Sequence, residues 1–334
     1  MSADKPLNDR DIIVVGGAGY IGAHVCKTLS KYGANPITFD NLSSGHAHAV
    51  KWGPLETVDL RDAGATEAAF QRYAHVETVI HLASSIEVGI GETHPAEFYQ
   101  NNVLGAMNLL NAMRKTDAAQ IIFSSTCATY GETDAMPLTE NQPQIPLSTY
   151  GKTKLAIEHM IESYHKAYGL KYVTLRYFNA AGADEAGEIG EEHDPETHLI
   201  PIALRSAMGL RGRMKIFGTD YDTPDGSCIR DYIHVSDIAL AHVKALLALD
   251  TGLAATSLNI GTGNGVSNLE VLQTIERVTG LPLPYDPAPR RGGDLSRLYA
   301  DGAKAKAIIG FEPQHSGIET IIKTAWNFHK REMD

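Results

Sequence analysis

Short apolar runs recur through the first half of the chain. Between them lie longer stretches in which apolar residues return every three or four positions. The runs "DIIVVG" (11–16), "NPITFD" (35–40), "ETVIHLA" (77–83), "QIIFSS" (120–125) and "KYVTLRYFN" (171–179) read as strands. They are nearly continuous in apolar residues rather than alternating, which is the pattern of strands buried on both faces. Segments 95–115 and 149–168 have helical spacing; in the second, Ile157, Met160, Ile161 and Tyr164 fall on one face. Strand–helix alternation of this kind predicts an α/β fold, a doubly wound parallel sheet with helices on both sides.

The pattern changes near residue 180. The stretch "GADEAGEIGEEHDPETH" (182–198) is polar and rich in turn residues. A helix near 199–209, a strand "MKIFG" (214–218), a helix near 235–249 and a strand "SLNIG" (257–261) follow. The expected organisation is a nucleotide-binding unit over 1–180, rejoined by 235–261, and a smaller C-terminal α/β lobe over 181–334 interleaved with it.

Composition narrows the classes of function. The 334 residues are 43% hydrophobic and carry a net charge of −11, without basic blocks. Nucleic acid and anionic membrane are therefore poor partners. No apolar run approaches the roughly 18 residues of a membrane span. Three widely spaced cysteines, Cys26, Cys127 and Cys228, fit neither a disulfide framework nor a zinc site, and no metal is expected. The start "MSADKPLNDRD" has no apolar signal region, so a reducing, cytoplasmic setting is expected.

The candidate chemistry begins at "VVGGAGYIG". Gly16, Gly19 and Gly22 follow the first strand and open a helix. Glycines there allow a tight turn and close approach of a pyrophosphate to the helix N-terminus. Asp40 ends the second strand, where a carboxylate accepts both ribose hydroxyls of adenosine and repels a 2′-phosphate. The pair points to NAD rather than NADP. In "LSTYGKTKLAIEHM" (147–160), Tyr150 and Lys154 stand four apart and share a helix face. In a chain with 14 tyrosines that spacing alone means little. It gains weight from "SSTCATYG" (124–131), which sets Thr126 at a strand's C-terminal end, where open α/β sheets bind their ligands. A phenol has an ordinary pKa near ~10. A nearby ammonium and a cationic nicotinamide would favour its ionised form.

This order of elements resembles the extended short-chain dehydrogenase/reductase superfamily and, within it, the UDP-glucose 4-epimerase family. The resemblance runs through "GGAGYIGAH", "FDNLSSGH", "NNVLGAMNLL", "FSSTCATYG", "YGKTKLAIE", "LRYFNAAGA", "PETHLIPI", "FGTDYDTPDGSCIRDYIHVSDIA" and "RRGGDLSRLYADGAKA". It implies inversion at C4 of a UDP-hexose through a 4-keto intermediate, with NAD as cofactor, and a homodimer built on segments 95–115 and 149–168. It implies that Tyr150 is the base and acid, Lys154 its electrostatic support and Thr126 its hydrogen-bonding partner. Gly16, Gly19, Tyr20, Ile21 and Gly22 would hold the pyrophosphate and Asp40 with Asn41 the ribose. Asp59 and Leu60 would lie by the adenine, and Leu82, Ala83, Asn101 and Tyr177 along the rest of the cofactor. Phe178, Asn179, His198, Leu199, Phe217, Arg230, Arg291 and Asp294 match positions that contact the substrate. Arg forks suit a diphosphate.

The register of the last stretch places Leu298 where members restricted to glucose and galactose have a bulky Tyr. Members with a small residue there also take N-acetylhexosamines, so weaker activity on those is expected. Two positions depart from other members: Ile86 stands where some have Lys, and His198 where others have Asn. A nucleotide-sugar 4,6-dehydratase would carry an acidic pair after Thr126; here Cys127, Ala128 and Thr129 follow. A UDP-uronate 4-epimerase stays open; the alternative of another class, a non-catalytic NAD-binding regulator, would be expected to lose Tyr150 or Lys154, and both are present.

Overall fold

The structure, a computed structural model, describes residues 6–133, 135–291 and 295–333. Its strands are β1 (Asp11–Val15), β2 (Asn35–Asp40), β3 (Leu55–Thr57), β4 (Thr78–His81), β5 (Gln120–Thr126), β6 (Lys171–Tyr177), β7 (Asn179–Ala181), β8 (Met214–Phe217), β9 (Ile229–Arg230), β10 (Tyr232–His234), β11 (Ala255–Ile260), β12 (Val266–Ser267), β13 (Tyr285–Ala288) and β14 (Arg297–Leu298). The helices are α1 (Tyr20–Lys31), α2 (Ala63–Arg72), α3 (Val88–Thr93), α4 (Pro95–Phe98), α5 (Gly105–Met113), α6 (Thr149–Tyr168), α7 (Leu199–Ala207), α8 (Val235–Asp250), α9 (Asn268–Thr279), α10 (Ala303–Ile309) and α11 (Ile318–His329).

Seven strands form one sheet in the order β11-β6-β5-β4-β1-β2-β3. Every neighbouring pair is parallel. The strands' apolar runs divide between two cores. Ile12 and Val14 of β1 join Val25 and Leu29 of α1 and Ile238 and Leu246 of α8 on one face. Ile13 and Val15 join Phe70 of α2, Leu109 of α5 and Ile157 of α6 on the other. The expected doubly wound α/β sheet is what forms. A third core, with Ala203, Leu204, Ile216, Leu272, Ile275 and Ile322, belongs to the elements after residue 180.

Helix α6 starts where its caps dictate. Ser148 Oγ accepts from the Gly151 N–H at 3.1 Å, and Gly169 ends the helix at φ 76°. Two elements differ from the apolar pattern. The run 171–179 is one apolar stretch, yet it serves two sheets: β6 closes on β5 and β11, and β7 pairs with β10. Apolar content cannot reveal that break, because Tyr177 and Phe178, which flank it, are both buried. Segment 95–115 is helical but widens into a π turn over Tyr99–Leu104 between α4 and α5. That turn sets Asn101 and Asn102 against one loop. Asn101 Nδ2 donates to Ser85 Oγ at 2.9 Å, and Asn102 Oδ1 accepts from the Ser85 N–H at 2.8 Å.

Candidate active site

A cleft of about 530 Å³ opens at the C-terminal ends of β1, β4, β5 and β6, where the strand order reverses between β1 and β4. That reversal is the general ligand site of open α/β sheets. Gly16 takes φ +84°, and a Cβ there would lie 2.5 Å from the Ala83 nitrogen. A Cβ on Gly22 would lie 2.0 Å from the Gly16 carbonyl oxygen. Both positions exclude any side chain, so the loop passes tightly over β4 and into α1. Gly19 is the N-cap of α1, and no side chain caps it. The first-turn amides of α1 therefore meet the cleft bare, beside Tyr20, Ile21 and Gly22 on its lining. This cradle fits the pyrophosphate of a dinucleotide.

Asp40 ties the glycine loop to the end of β2. Its carboxylate accepts from the Ala18 N–H at 3.1 Å and from the Leu42 N–H at 2.8 Å. Burial raises its pKa despite these amides. Each oxygen keeps lone pairs for a ribose hydroxyl. Asn41 donates to Asp59 at 3.3 Å. Arg61 grips Asp59 through Nε at 3.0 Å and holds its carboxyl down at about 2. Asn41, Asp59 and Leu60 line one end of the cleft, and Leu82, Ala83, Asn101 and Tyr177 line its middle.

At the other end Thr126, Tyr150 and Lys154 meet on the cleft wall. Thr126 ends β5, and its hydroxyl lies close enough to the Tyr150 phenol to act on its ionisation. Burial pushes that phenol well above its ordinary pKa, and Thr126 opposes the shift. Lys154 lies with Nζ 5.8 Å from the Tyr150 ring centre and donates to the Ser124 carbonyl at 2.8 Å. Burial brings its ammonium down to about 7, against the pull of Glu158. The helix repeat puts Tyr150, Lys154 and Glu158 on one side of α6.

Phe178, Asn179 and His198 also line the cleft. Leu199, Phe217, Arg230, Arg291 and Leu298 do not belong to its lining. They come from α7, β8, β9, the segment after β13, and β14. Arg230 and Leu298 stand in register across β9 and β14. Arg230 donates to the Ile229 and Leu295 carbonyls at 2.9 and 2.8 Å and acts on the Cys127 thiol, next to Thr126. Arg291 sits 5.0 Å from the Phe217 ring centre. Leu298 packs against a cluster of Cys127, Tyr130, Leu138, Phe178 and Ala300. Asp294 lies outside the described residues. His198 faces Glu191 at 2.8 Å and Glu196 at 3.3 Å.

The family model described as "NAD dependent epimerase/dehydratase family" matches residues 12–261. The chain belongs to this family. It is 47% identical to the UDP-glucose 4-epimerase of Rhizobium meliloti over 325 residues, 97% of this chain and 98% of that one. Its fold superposes on a UDP-glucose 4-epimerase from Brucella ovis solved in complex with NAD, with TM-score 0.93 and 48% identity over 95% of this chain and 97% of that one. A Bifidobacterium longum UDP-glucose 4-epimerase solved with NAD+ and UDP gives TM-score 0.91 and 34% identity, covering 96% and 98%.

Within this family fold, several residues that motif reading passed over hold the site in place. Glu158 accepts from Ser125 Oγ at 2.5 Å, from Arg176 Nε at 3.0 Å and from Gln144 Nε2 at 3.0 Å. It thereby pins α6 to β5 and β6. Asn102 Nδ2 donates to Thr153 Oγ1 at 3.0 Å, joining the π turn to the same helix. The available signal was the four-residue step from Tyr150 through Lys154 to Glu158. Glu191 and His193 also line the cleft, in a stretch that reads only as polar and turn-rich.

Proposed function

We infer that this protein interconverts UDP-glucose and UDP-galactose by oxidation and reduction at C4, as an NAD-dependent isomerase. The observation that carries the reading is the meeting of Thr126, Tyr150 and Lys154 in the same cleft as the glycine loop and Asp40. The chemistry that NAD supplies when bound is a reversible hydride acceptor for C4. Tyr150 takes the proton of the 4-hydroxyl and returns it after the sugar has turned. Thr126 shares that oxygen and holds it in line. Lys154 supplies the charge that makes a buried phenolate tolerable. The diphosphate must be gripped and the sugar left loose, so that remote binding energy orients a ring free to rotate. Arg230 and Arg291 are the cations proposed for that grip, with Asn179 and His198 beside them. Residues 1–180 with 235–261 are proposed to hold the cofactor, and the rest of 181–334 the nucleotide sugar. Purified protein given UDP-galactose is expected to form UDP-glucose without net NADH, read by NMR. A 4-keto-6-deoxy product, or no product, overturns the reading.

Substrate width is proposed to rest on Leu298. It packs against the cluster that includes Cys127 and Phe178, the chain neighbours of Thr126 and Asn179. Leu is smaller than Tyr but larger than Cys or Ser, and a contact of this size is worth only ~1–3 kcal/mol in discrimination. UDP-glucose and UDP-galactose are expected as the main pair, with weaker turnover of UDP-N-acetylglucosamine. Leu298→Tyr should raise the kcat/KM ratio further toward the plain hexoses; an unchanged ratio would show that Leu298 is not the gate.

A homodimer is proposed through segments 95–115 and 149–168. Tyr99, Leu104, Met107 and Tyr168 of these segments are large, apolar and exposed, and twofold isologous dimers are the commonest soluble oligomers. Light scattering at micromolar concentration should give twice the chain mass, and a single chain mass removes the proposal. A cytoplasmic location is supported by three buried free thiols. Among the described residues no helix is long and apolar enough to cross a membrane. Recovery in a periplasmic or extracellular fraction would count against that location.

A further inference from the structure

The polar loop before α7 packs four potential ligands into eight residues, "EEHDPETH" from 191 to 198. One ligand atom each from Glu191, His193, Glu196 and His198 lies within 4.8 Å of all the others. His193 Nδ1 is 3.3 Å from Glu191 and 3.7 Å from Glu196. His198 Nδ1 is 2.8 Å from Glu191 and 3.3 Å from Glu196. A tetrahedron built with the ~2.0–2.2 Å bonds of zinc to imidazole and carboxylate has edges of about 3.3–3.6 Å. Three of the four imidazole–carboxylate distances, at 3.3, 3.3 and 3.7 Å, are close to those edges, the fourth is shorter at 2.8 Å, and no pair exceeds 4.8 Å.

The geometry also does not suit a hydrogen-bonded cluster. Both Nδ1 atoms are shielded from water, and neither makes a hydrogen bond. They lie near carboxylate oxygens yet off the line an N–H would need, whereas a central ion needs only convergence. The two carboxylates are nearly inaccessible, at 5% for Glu191 and 8% for Glu196. Two buried carboxylates a few ångströms apart repel each other unless a cation joins them. Two neutral imidazoles, two carboxylates and one divalent ion sum to zero charge. Glu196 is held from behind by the Thr197 and His198 N–H groups at 2.7 and 2.8 Å, as outer contacts commonly orient a ligating carboxylate.

We propose that Glu191, His193, Glu196 and His198 bind one divalent ion of the zinc class. With imidazole and carboxylate donors and no thiolate, Zn²⁺ or Co²⁺ suits the set. All four ligands come from the protein, so the site is closed and structural. It fastens the 182–198 loop at the mouth of the cleft. The loop also meets α1: the Tyr20 hydroxyl donates to the Gly182 carbonyl at 2.6 Å, and the Tyr20 ring stands edge-on to His193 at 6.2 Å. Ligation through Nδ1 would keep the His198 proton on Nε2, as a donor for an anionic substrate.

Full-length protein stripped with a chelator and titrated with Zn²⁺ is expected to take up one equivalent, read by calorimetry and by elemental analysis. Thermal unfolding should move upward on re-addition. Co²⁺ should give visible bands of tetrahedral intensity. His193→Ala and Glu191→Gln should bind at least ~10–100-fold more weakly, the cost of losing even an outer partner of a metal site. If these variants do not fold, the Co²⁺ spectrum and X-ray absorption of the wild type decide, with a first shell of nitrogen and oxygen only. No stoichiometric uptake, octahedral Co²⁺ bands, or undiminished affinity in a folded His193→Ala would each overturn the proposal. The cluster would then be a pair of imidazolium–carboxylate contacts.

Discussion

Tyr150→Phe is expected to leave a folded, NAD-loaded protein whose turnover falls by ~10²–10⁴, the usual contribution of a general acid/base. The substitution removes one oxygen from a half-buried ring and leaves its shape. In stability it deletes no more than one neutral hydroxyl contact, with Thr126, worth at most ~0.5–1.5 kcal/mol. In chemistry it deletes the proposed proton acceptor for the 4-hydroxyl. The two effects separate cleanly. Cofactor content, read from absorbance, and the affinity for UDP should hardly change, while kcat collapses. The acid limb of the pH–rate profile that reports ionisation in the enzyme–substrate complex should also disappear from the residual activity. Turnover within a factor of about three of the parent protein would mean that another group moves the proton.

Glu158→Ala is expected to cost ~3–5 kcal/mol of stability, the range for breaking a buried ion pair from one side. Glu158 and Arg176 have side chains only 7% and 6% exposed. Arg176 Nη2 donates to Glu158 at 2.6 Å, and its Nη1 donates to the Tyr130 hydroxyl at 2.9 Å. That hydroxyl in turn donates to Asn259 at 2.6 Å. Removing the carboxylate strands the guanidinium in the core with most of its donors unmet, and Ser125 and Gln144 lose their acceptor as well. Glu158→Gln keeps one acceptor oxygen for Arg176 and should recover part of the loss. Denaturant midpoints at matched slopes would show both effects. An Ala variant within about 1 kcal/mol of the parent would mean that the pair merely breaks even with its own desolvation.

The contrast between these two residues shows what could be read in the chain beforehand. Tyr150 belongs to a spacing that makes chemical sense once Thr126 and the glycine loop are seen in order, so it was legible. Glu158 continues the same four-residue step, but its partner Arg176 lies on a different strand, and nothing local announces the pairing. Six of the seven strands of the main sheet were legible from their apolar runs; β3, three residues at the sheet edge and only partly buried, was not. Helix α2 was not, since "AGATEAAFQR" offers one strong apolar anchor, Phe70, and otherwise small residues. The division at Phe178 was hidden by continuous apolarity. The π turn was hidden because a single extra residue per turn barely disturbs helical spacing. The cation site proposed above would leave no mark in cysteine spacing; its two His and two Glu in the 191–198 loop resemble an ordinary solvated turn.

The position of β11 has a consequence for how the protein is made. It is the last strand of the seven-stranded sheet in sequence, and it lies on the outer edge of β6. All of segment 178–254 must leave the ribosome before that edge can be covered. Until then β6 presents unpaired backbone along a strand that is almost wholly buried in the finished molecule, the kind of edge that recruits other chains. Synthesis order and sheet order therefore conflict at this one place. The nascent protein is most prone to aggregate during that interval, and slowing or interrupting elongation between residues 178 and 254 would prolong the exposure.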